Sequence, residues 1–231
     1  MFASPWASPS ALCVALGLDD GDAALAATAA QDERQMMRLS RATILMELGR
    51  TAEGWEDYEA RLHPQFSDCT QFQAPGAPWT PQADLAGRSL LVFGEQGLGD
   101  EVMFANLIPD VIEALGPQGR LTLAVETRLV PLFQRSFPQA RVGAHATYAV
   151  GGRTVRVAPF LAEDEALDYW APMGSLLRRF RPTVDSFPQR TGFLTPAPER
   201  VAHWRAAGPE GGPALEERPD ERRPPALFLG F

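Results

Sequence analysis

The sequence predicts an α/β protein in which paired helices precede a parallel-sheet domain, and three observations carry that expectation. No proline stands between Pro9 and Pro64, and the stretch is rich in Ala, Leu, Met and Glu, a composition that favours helices. From residue 88 to about 207, short β-type runs alternate with helical runs, the pattern of βαβ units in a parallel sheet. The apolar run at residues 90–93 leads into a glycine-rich turn and then an amphipathic helix. With 231 residues, 45% of them apolar and 22% charged, the chain can build a real core.

Taken in order, residues 1–66 form the helical region. The clearer of two helix pairs spans about 33–48 and 52–62, with a turn at Gly49-Arg50. Leu39, Ala42, Leu45, Met46 and Leu48 recur at helical spacing, and Trp55, Tyr58 and Leu62 do so in the next helix. Gly49 stands where a helix C-cap belongs, and small residues at Ala42 and Gly54 would let the two helices approach closely. A shorter pair is expected at about 10–16 and 22–30. Residues 67–87 hold Pro75, Pro78, Pro81, Gly76 and Gly87 and read as an irregular connector. The α/β domain covers 88–207. Residues 208–225, with five prolines, three glycines and eight charges, read as a disordered linker. The apolar end at 226–231 then looks like the first strand of a further domain, so the sequence is expected to be cut off there.

All 21 basic residues are arginines, and the formal net charge is −8. An acidic chain with scattered arginines argues against nucleic-acid or anionic-membrane binding. No N-terminal leader and no membrane span are read, and the expected location is cytoplasmic. Cys13 and Cys69 share no metal-ligand or disulfide spacing and read as reduced apolar thiols. His63, His145 and His203 have no neighbours at ligand spacing, so no metal is expected.

The turn Gly94-Glu95-Gln96-Gly97-Leu98-Gly99-Asp100 carries the most information. Ligands in open α/β sheets bind at the carboxyl ends of the strands, where such turns lie. The turn lacks the G-x-G-x-x-G fingerprint, because Val102 stands at the third glycine position. It lacks a phosphate-binding G-x-x-x-x-G-K-[ST] loop too, because the chain has no lysine. A nicotinamide oxidoreductase is disfavoured on this ground, Glu126 being the sole candidate for a ribose-binding acid. In the helix that follows, Met103, Leu107 and Val111 form one apolar row and Phe104, Ile108, Ile112 and Leu115 the next. Pro109 would kink that helix or shift its hydrogen bonding.

The string GEQGLGDEVMFANLIPDV closely resembles the hallmark of bacterial tetratricopeptide-repeat-linked glycosyltransferase-like proteins. Other blocks agree in order: LGRTAEGWEDYEARL at 48–62, Trp79 with LAGR at 85–88, and the stretch from ALDYWAPMGSLL through FLTPAPERVAHW. Ala42, Gly49, Gly54 and Tyr58 sit at the small and aromatic positions of a tetratricopeptide repeat, with Pro64 slightly early as the terminating proline. The G-x-G-D turn is also similar to that of heptosyltransferases. The resemblance implies a Rossmann-like domain that forms the acceptor half of a GT-B fold. A second half, absent from this sequence, would bind the nucleotide-sugar donor.

By the same resemblance Asp100 is the catalytic base on the acceptor hydroxyl. The other reading is an acid capping the helix N-terminus, a favoured place for Asp. Glu95, Gln96, Gly97, Leu98 and Gly99 would bind substrate. Glu95 and Gln96 would supply hydrogen-bonding groups, or else lie solvent-exposed. Gly97 and Gly99 would meet a need for positive φ or for close approach of a ligand. The adjacent acids Asp100-Glu101 are too close in sequence to flank one glycosidic bond. Arg178-Arg179-Phe180-Arg181 reads as a solvated helix end. The functional expectation is the N-terminal portion of a glycosyltransferase that uses no cofactor and is inactive without its donor domain. The alternative is a non-catalytic protein-interaction module acting through the repeat helices.

Overall fold

The computed structural model describes residues 31–206, apart from residues 65, 67, 68, 163, 164, 190 and 191. The expected helix pair at 10–30, the linker at 208–225 and the strand at 226–231 lie outside the described residues.

The helical pair forms as its sequence pattern predicts. Helix α1 (Gln31–Glu47) and helix α2 (Thr51–Tyr58) are joined at Gly49, which takes φ +76. The Gly49 N–H donates to the Met46 carbonyl at 3.0 Å and the Arg50 N–H to the Leu45 carbonyl at 2.8 Å. These two bonds make a Schellman C-cap, which needs the left-handed residue that glycine supplies at no steric cost. A Cβ on Gly54 would lie 2.8 Å from Met46 Cγ and 3.1 Å from the Ala42 carbonyl oxygen, so the close helix approach requires glycine there. Helix α2 tightens into a 3-10 turn over Glu59–Leu62.

Five strands form one parallel sheet in the order β2-β8-β3-β4-β5. They are β2 (Ala77–Pro78), β3 (Ser89–Phe93), β4 (Arg120–Val125), β5 (Arg141–Ala144) and β8 (Tyr169–Pro172). Every residue of β3 is buried, as the near-continuous apolar run of a central parallel strand requires. The chain runs from β3 outward through β4 and β5 and returns to β8 on the other side of β3. The sheet therefore has its switch point between β3 and β8. Beside it lies a three-stranded sheet in the order β1-β7-β6, built from β1 (Thr70–Gln73), β6 (Ala146–Val150) and β7 (Arg153–Val157).

One sequence expectation changes here. The stretch 67–87 is not wholly irregular, since it supplies β1 and β2. Both are short edge strands, and Pro78 is tolerated in β2 because an edge leaves one side of the backbone unpaired. The hairpin β6–β7 turns at Gly151 and Gly152, with φ +58 and +78, the positive pair that a tight hairpin wants.

Helix α3 (Leu98–Phe104) passes through a 3-10 turn at Ala105–Leu107 and restarts as α4 (Ile108–Leu115). Pro109 lies in the first turn of α4, where a missing N–H costs nothing. The later elements are α5 (Val130–Ser136), α6 (Leu177–Phe180) and α7 (Pro198–Ala206).

The helical pair is not a separate body. Ala42, Met46, Trp55 and Tyr58 share one core cluster with Leu90, Val92, Phe104 and Leu107. The rings of Trp55, Tyr58 and Phe104 meet edge to face, with centroids 5.9, 6.3 and 6.5 Å apart. The Trp55 indole N–H donates to the Arg181 carbonyl at 2.8 Å, and the Thr51 hydroxyl to that of Pro182 at 2.7 Å. Each large apolar side chain buried in this interface contributes roughly 1.5–3 kcal/mol. None of the described helices is long and apolar enough to cross a membrane.

Candidate functional site

The candidate site is the carboxyl edge of the parallel sheet, where β3 enters the glycine turn. Gly94 closes β3, its N–H donating to the Ala124 carbonyl at 2.7 Å. A Cβ there would sit 2.3 Å from the Glu101 carboxyl carbon, so only glycine lets the strand and α3 close over that acid.

Glu95 is placed differently from the sequence expectation. It is 3% exposed and lies at the switch point between β3 and β8. Arg61, from the 3-10 turn after α2, grips it with a fork: Nε to Oε2 at 2.9 Å and Nη2 to Oε1 at 2.9 Å. The Gly174 N–H adds a third bond to Oε1 at 2.6 Å. Arg61 also donates to Glu59 Oε1 at 2.8 Å and to Ser175 Oγ at 3.1 Å, and its guanidinium lies 4.1 Å over the Tyr58 ring. Burial pulls the proton affinity of Arg61 down, and the Glu95 carboxylate more than reverses that. The place beside Glu95 at the switch point is thus taken by a side chain of the helical pair.

Gln96 is exposed, and the turn's positive φ falls on it, at +59. Gly97 and Gly99 are expected to supply either positive φ or room for a ligand to approach. Neither has positive φ, and Gly97 is extended at φ −110. Gly99 is exposed, with nothing within 4 Å of the position its Cβ would take, so its surface is open to a bound group. Leu98 is partly buried against the core. Asp100 is partly exposed, and its Oδ2 accepts the Gly97 N–H at 3.0 Å. That bond is the helix-capping role foreseen as the alternative to catalysis.

Glu101, by contrast, is 2% exposed. Its Oε2 accepts the Glu126 N–H at 2.9 Å, and its Oε1 lies 3.2 Å from His145 Nε2. Sequence reasoning took His145 for an ordinary residue. Its partner is 44 positions away in the chain and adjacent only once β3, β4 and β5 lie side by side. Arg156 was also missed. It is buried, donates through Nη1 to the Gly94 carbonyl at 2.6 Å and through Nε to Thr147 Oγ1 at 3.2 Å. Burial lowers its proton affinity, while Glu101 and Glu95 oppose that. The one sequence signal was its place in β7, where an alternating strand turns residues 154 and 156 to the same face.

The solvated face expected of Arg178, Arg179 and Arg181 holds for the exposed Arg179 and fails for the other two. Arg178 pairs with Glu59 at 3.2 Å, Arg179 donates to the Ala83 carbonyl, and Arg181 is buried against Asn106 and Asp110. Among the described residues, no group of three or more His, Cys, Asp and Glu side chains could hold a metal ion. Cys69 is buried, which raises its thiol pKa and leaves it an unreactive apolar group, while Cys13 lies outside the described residues.

No family model and no solved structure matches the chain. It is similar to Protein FlbA of Caulobacter vibrioides, with 52% identity over 196 residues. The match covers 85% of this chain and 33% of that protein, so the chain spans about a third of the length of the curated relative it matches.

Proposed function

We propose that this chain is the acceptor-side portion of a cytoplasmic glycosyltransferase of GT-B type, with tetratricopeptide-like helices packed on a Rossmann-like domain. The reaction moves a sugar from a nucleotide donor to a hydroxyl of a protein or glycan. One observation carries the reading. Of the three carboxylates on the turn, Glu95 and Glu101 are buried and committed to internal partners, and Asp100 alone is partly open to solvent. It sits at the carboxyl edge of the sheet, beside the open surface of Gly99. There the Asp100 carboxylate takes the proton of the acceptor hydroxyl as that oxygen attacks the anomeric carbon, and the bond from that carbon to the donor's phosphate oxygen breaks, releasing the nucleotide. Gln96, Gly97, Leu98 and Gly99 shape the floor under the acceptor, and Glu95 braces the turn from beneath. The donor is held by a second domain, which the family resemblance implies.

The competing reading, a protein-interaction module, draws less support. Ala42 and Met46 of α1 and Trp55 and Tyr58 of α2 lie in the shared core, where they are not available to a partner. The reading is tested by incubating the full-length gene product with a panel of radiolabelled nucleotide sugars and acceptor extracts from its own cells. Transfer of label by the full-length protein, and none by the 231-residue chain alone, is the expected result. Transfer by the short chain alone would refute the two-domain reading. No transfer from any donor would refute the enzyme reading.

A further inference from the structure

A second concavity lies away from the glycine turn, at the corner where the open edges of the two sheets meet the end of the helical pair. Its volume is about 370 Å³. A space of that size holds one or two six-membered rings, near the lower end of small-molecule sites at about 300–1,000 Å³.

Its walls are aromatic. Phe72 from β1 and Trp170 from β8 border it, their rings 6.1 Å apart and inclined at only 33°. Trp79, just past β2, completes the wall, and no described residue accepts its buried indole N–H. The polar lining includes Glu59, Ser175 and Arg178, and Thr70 and Gln71 of β1 also border the space. Ser175 Oγ donates to Glu59 Oε1 at 2.8 Å, and Arg178 Nη2 lies 3.2 Å from Glu59 Oε2. The acid and the base cancel, so the pocket offers donors and acceptors without net charge. An anion gains nothing there, because Glu59 opposes what Arg178 attracts. A flat, purely apolar ligand would leave these groups desolvated without new partners.

We infer that this pocket binds a neutral pyranose, whose C–H face lies against Phe72 and Trp170 and whose hydroxyls meet Glu59, Ser175 and Arg178. The choice of a sugar over other neutral rings rests on the transferase reading. The pocket makes this a substrate-anchoring site separate from the reacting turn. Ser175 joins the two, since it also receives Arg61 Nη2, the group that holds Glu95. A glycan acceptor anchored here would be placed relative to the 94–100 turn by a rigid, hydrogen-bonded bridge.

The test is a titration of the ¹⁵N-labelled chain with methyl α-D-glucopyranoside, methyl α-D-mannopyranoside and methyl N-acetyl-β-D-glucosaminide, read at the indole N–H resonances. At least one glycoside is expected to shift the Trp79 and Trp170 resonances saturably, with a dissociation constant on the order of millimolar. Arg178→Met and Trp170→Leu should each raise that constant at least ten-fold, with the remaining resonances unmoved as evidence of folding. Asp100→Asn should leave it unchanged, so loss of transfer and loss of sugar binding are separable. The inference is overturned if no glycoside shifts either indole at about 50 mM. It is equally overturned if Arg178→Met binds as the wild type does, or if a proline-rich peptide saturates the pocket where the glycosides do not.

Discussion

Replacing Glu95 by Gln isolates what joins the helical pair to the sheet. The wild-type carboxylate accepts two bonds from Arg61 and one from the Gly174 N–H, all in a site closed to water. The amide keeps the shape but removes the charge and turns one acceptor into a donor. That donor then faces either the Arg61 guanidinium or the Gly174 N–H. Arg61 keeps Glu59, whose side chain is 21% exposed and therefore a weaker counter-charge. Removing one partner of a buried ion pair costs about 3–5 kcal/mol, and the surviving Glu59 contact puts this case near 3. With a urea slope of about 2 kcal/mol per molar, the midpoint should fall by about 1.5 M. Arg61→Met should cost a similar amount, and the double variant Arg61→Met with Glu95→Leu should recover much of the loss, because an apolar pair leaves no stranded charge. A Glu95→Gln midpoint within about 0.25 M of wild type, equivalent to about 0.5 kcal/mol, would refute the reasoning.

Three further outcomes follow from the same geometry. Gly94→Ala should destabilise the chain by more than about 2 kcal/mol in the same urea experiment, since its Cβ would collide with the Glu101 carboxylate. Gln96→Gly should stabilise by about 0.5–1 kcal/mol, because glycine adopts φ +59 without the steric cost that Gln bears, and a loss would contradict the strain. Asp168 ties the starts of β3 and β8 together; the Ser89 N–H and hydroxyl, at 2.8 and 2.7 Å, hold its pKa below the ordinary carboxylate range. A depressed folded pKa gives stability that is present above the ordinary value near 4 and lost as pH falls through the folded value. Urea midpoints should therefore fall less steeply below pH 4 in Asp168→Asn than in wild type, and parallel profiles would remove Asp168 from the account.

The parts of this fold legible in the sequence are those written in local chemistry. The Gly49 cap, the small pair Ala42 and Gly54, the buried run of β3 and the proline-marked restart at Ile108 each follow from residues close together in the chain. What the sequence hid depends on long-range pairing. Strands β1 and β2 are short, carry Pro and Gly nearby, and exist because β7 and β8 pass beside them. Glu95 looked like a loop acid because Arg61 is 34 residues away and Gly174 is 79 away. His145 and Arg156 join the carboxyl edge only after three strands align. Positive φ is one of two reasons for glycine at 97 and 99, and that conformation falls on Gln96 instead. Gly94 reads in the sequence as one more turn glycine, and only the fold shows that Glu101 fills the space its side chain would need.

In the proposed function Asp100 does the chemistry, while Glu95 and Glu101 hold the turn together. The direct measurement is the sugar-transfer rate of the full-length protein for wild type, Asp100→Asn and Glu95→Gln, each at matched folded fraction. The account predicts that Asp100→Asn loses about 10²-fold or more in rate, while its urea midpoint falls by no more than about 0.5 M from the lost charge at the α3 N-terminus. It predicts a near-wild-type rate per folded molecule for Glu95→Gln, whose defect is in stability. An Asp100→Asn protein that transfers sugar at the wild-type rate would contradict it.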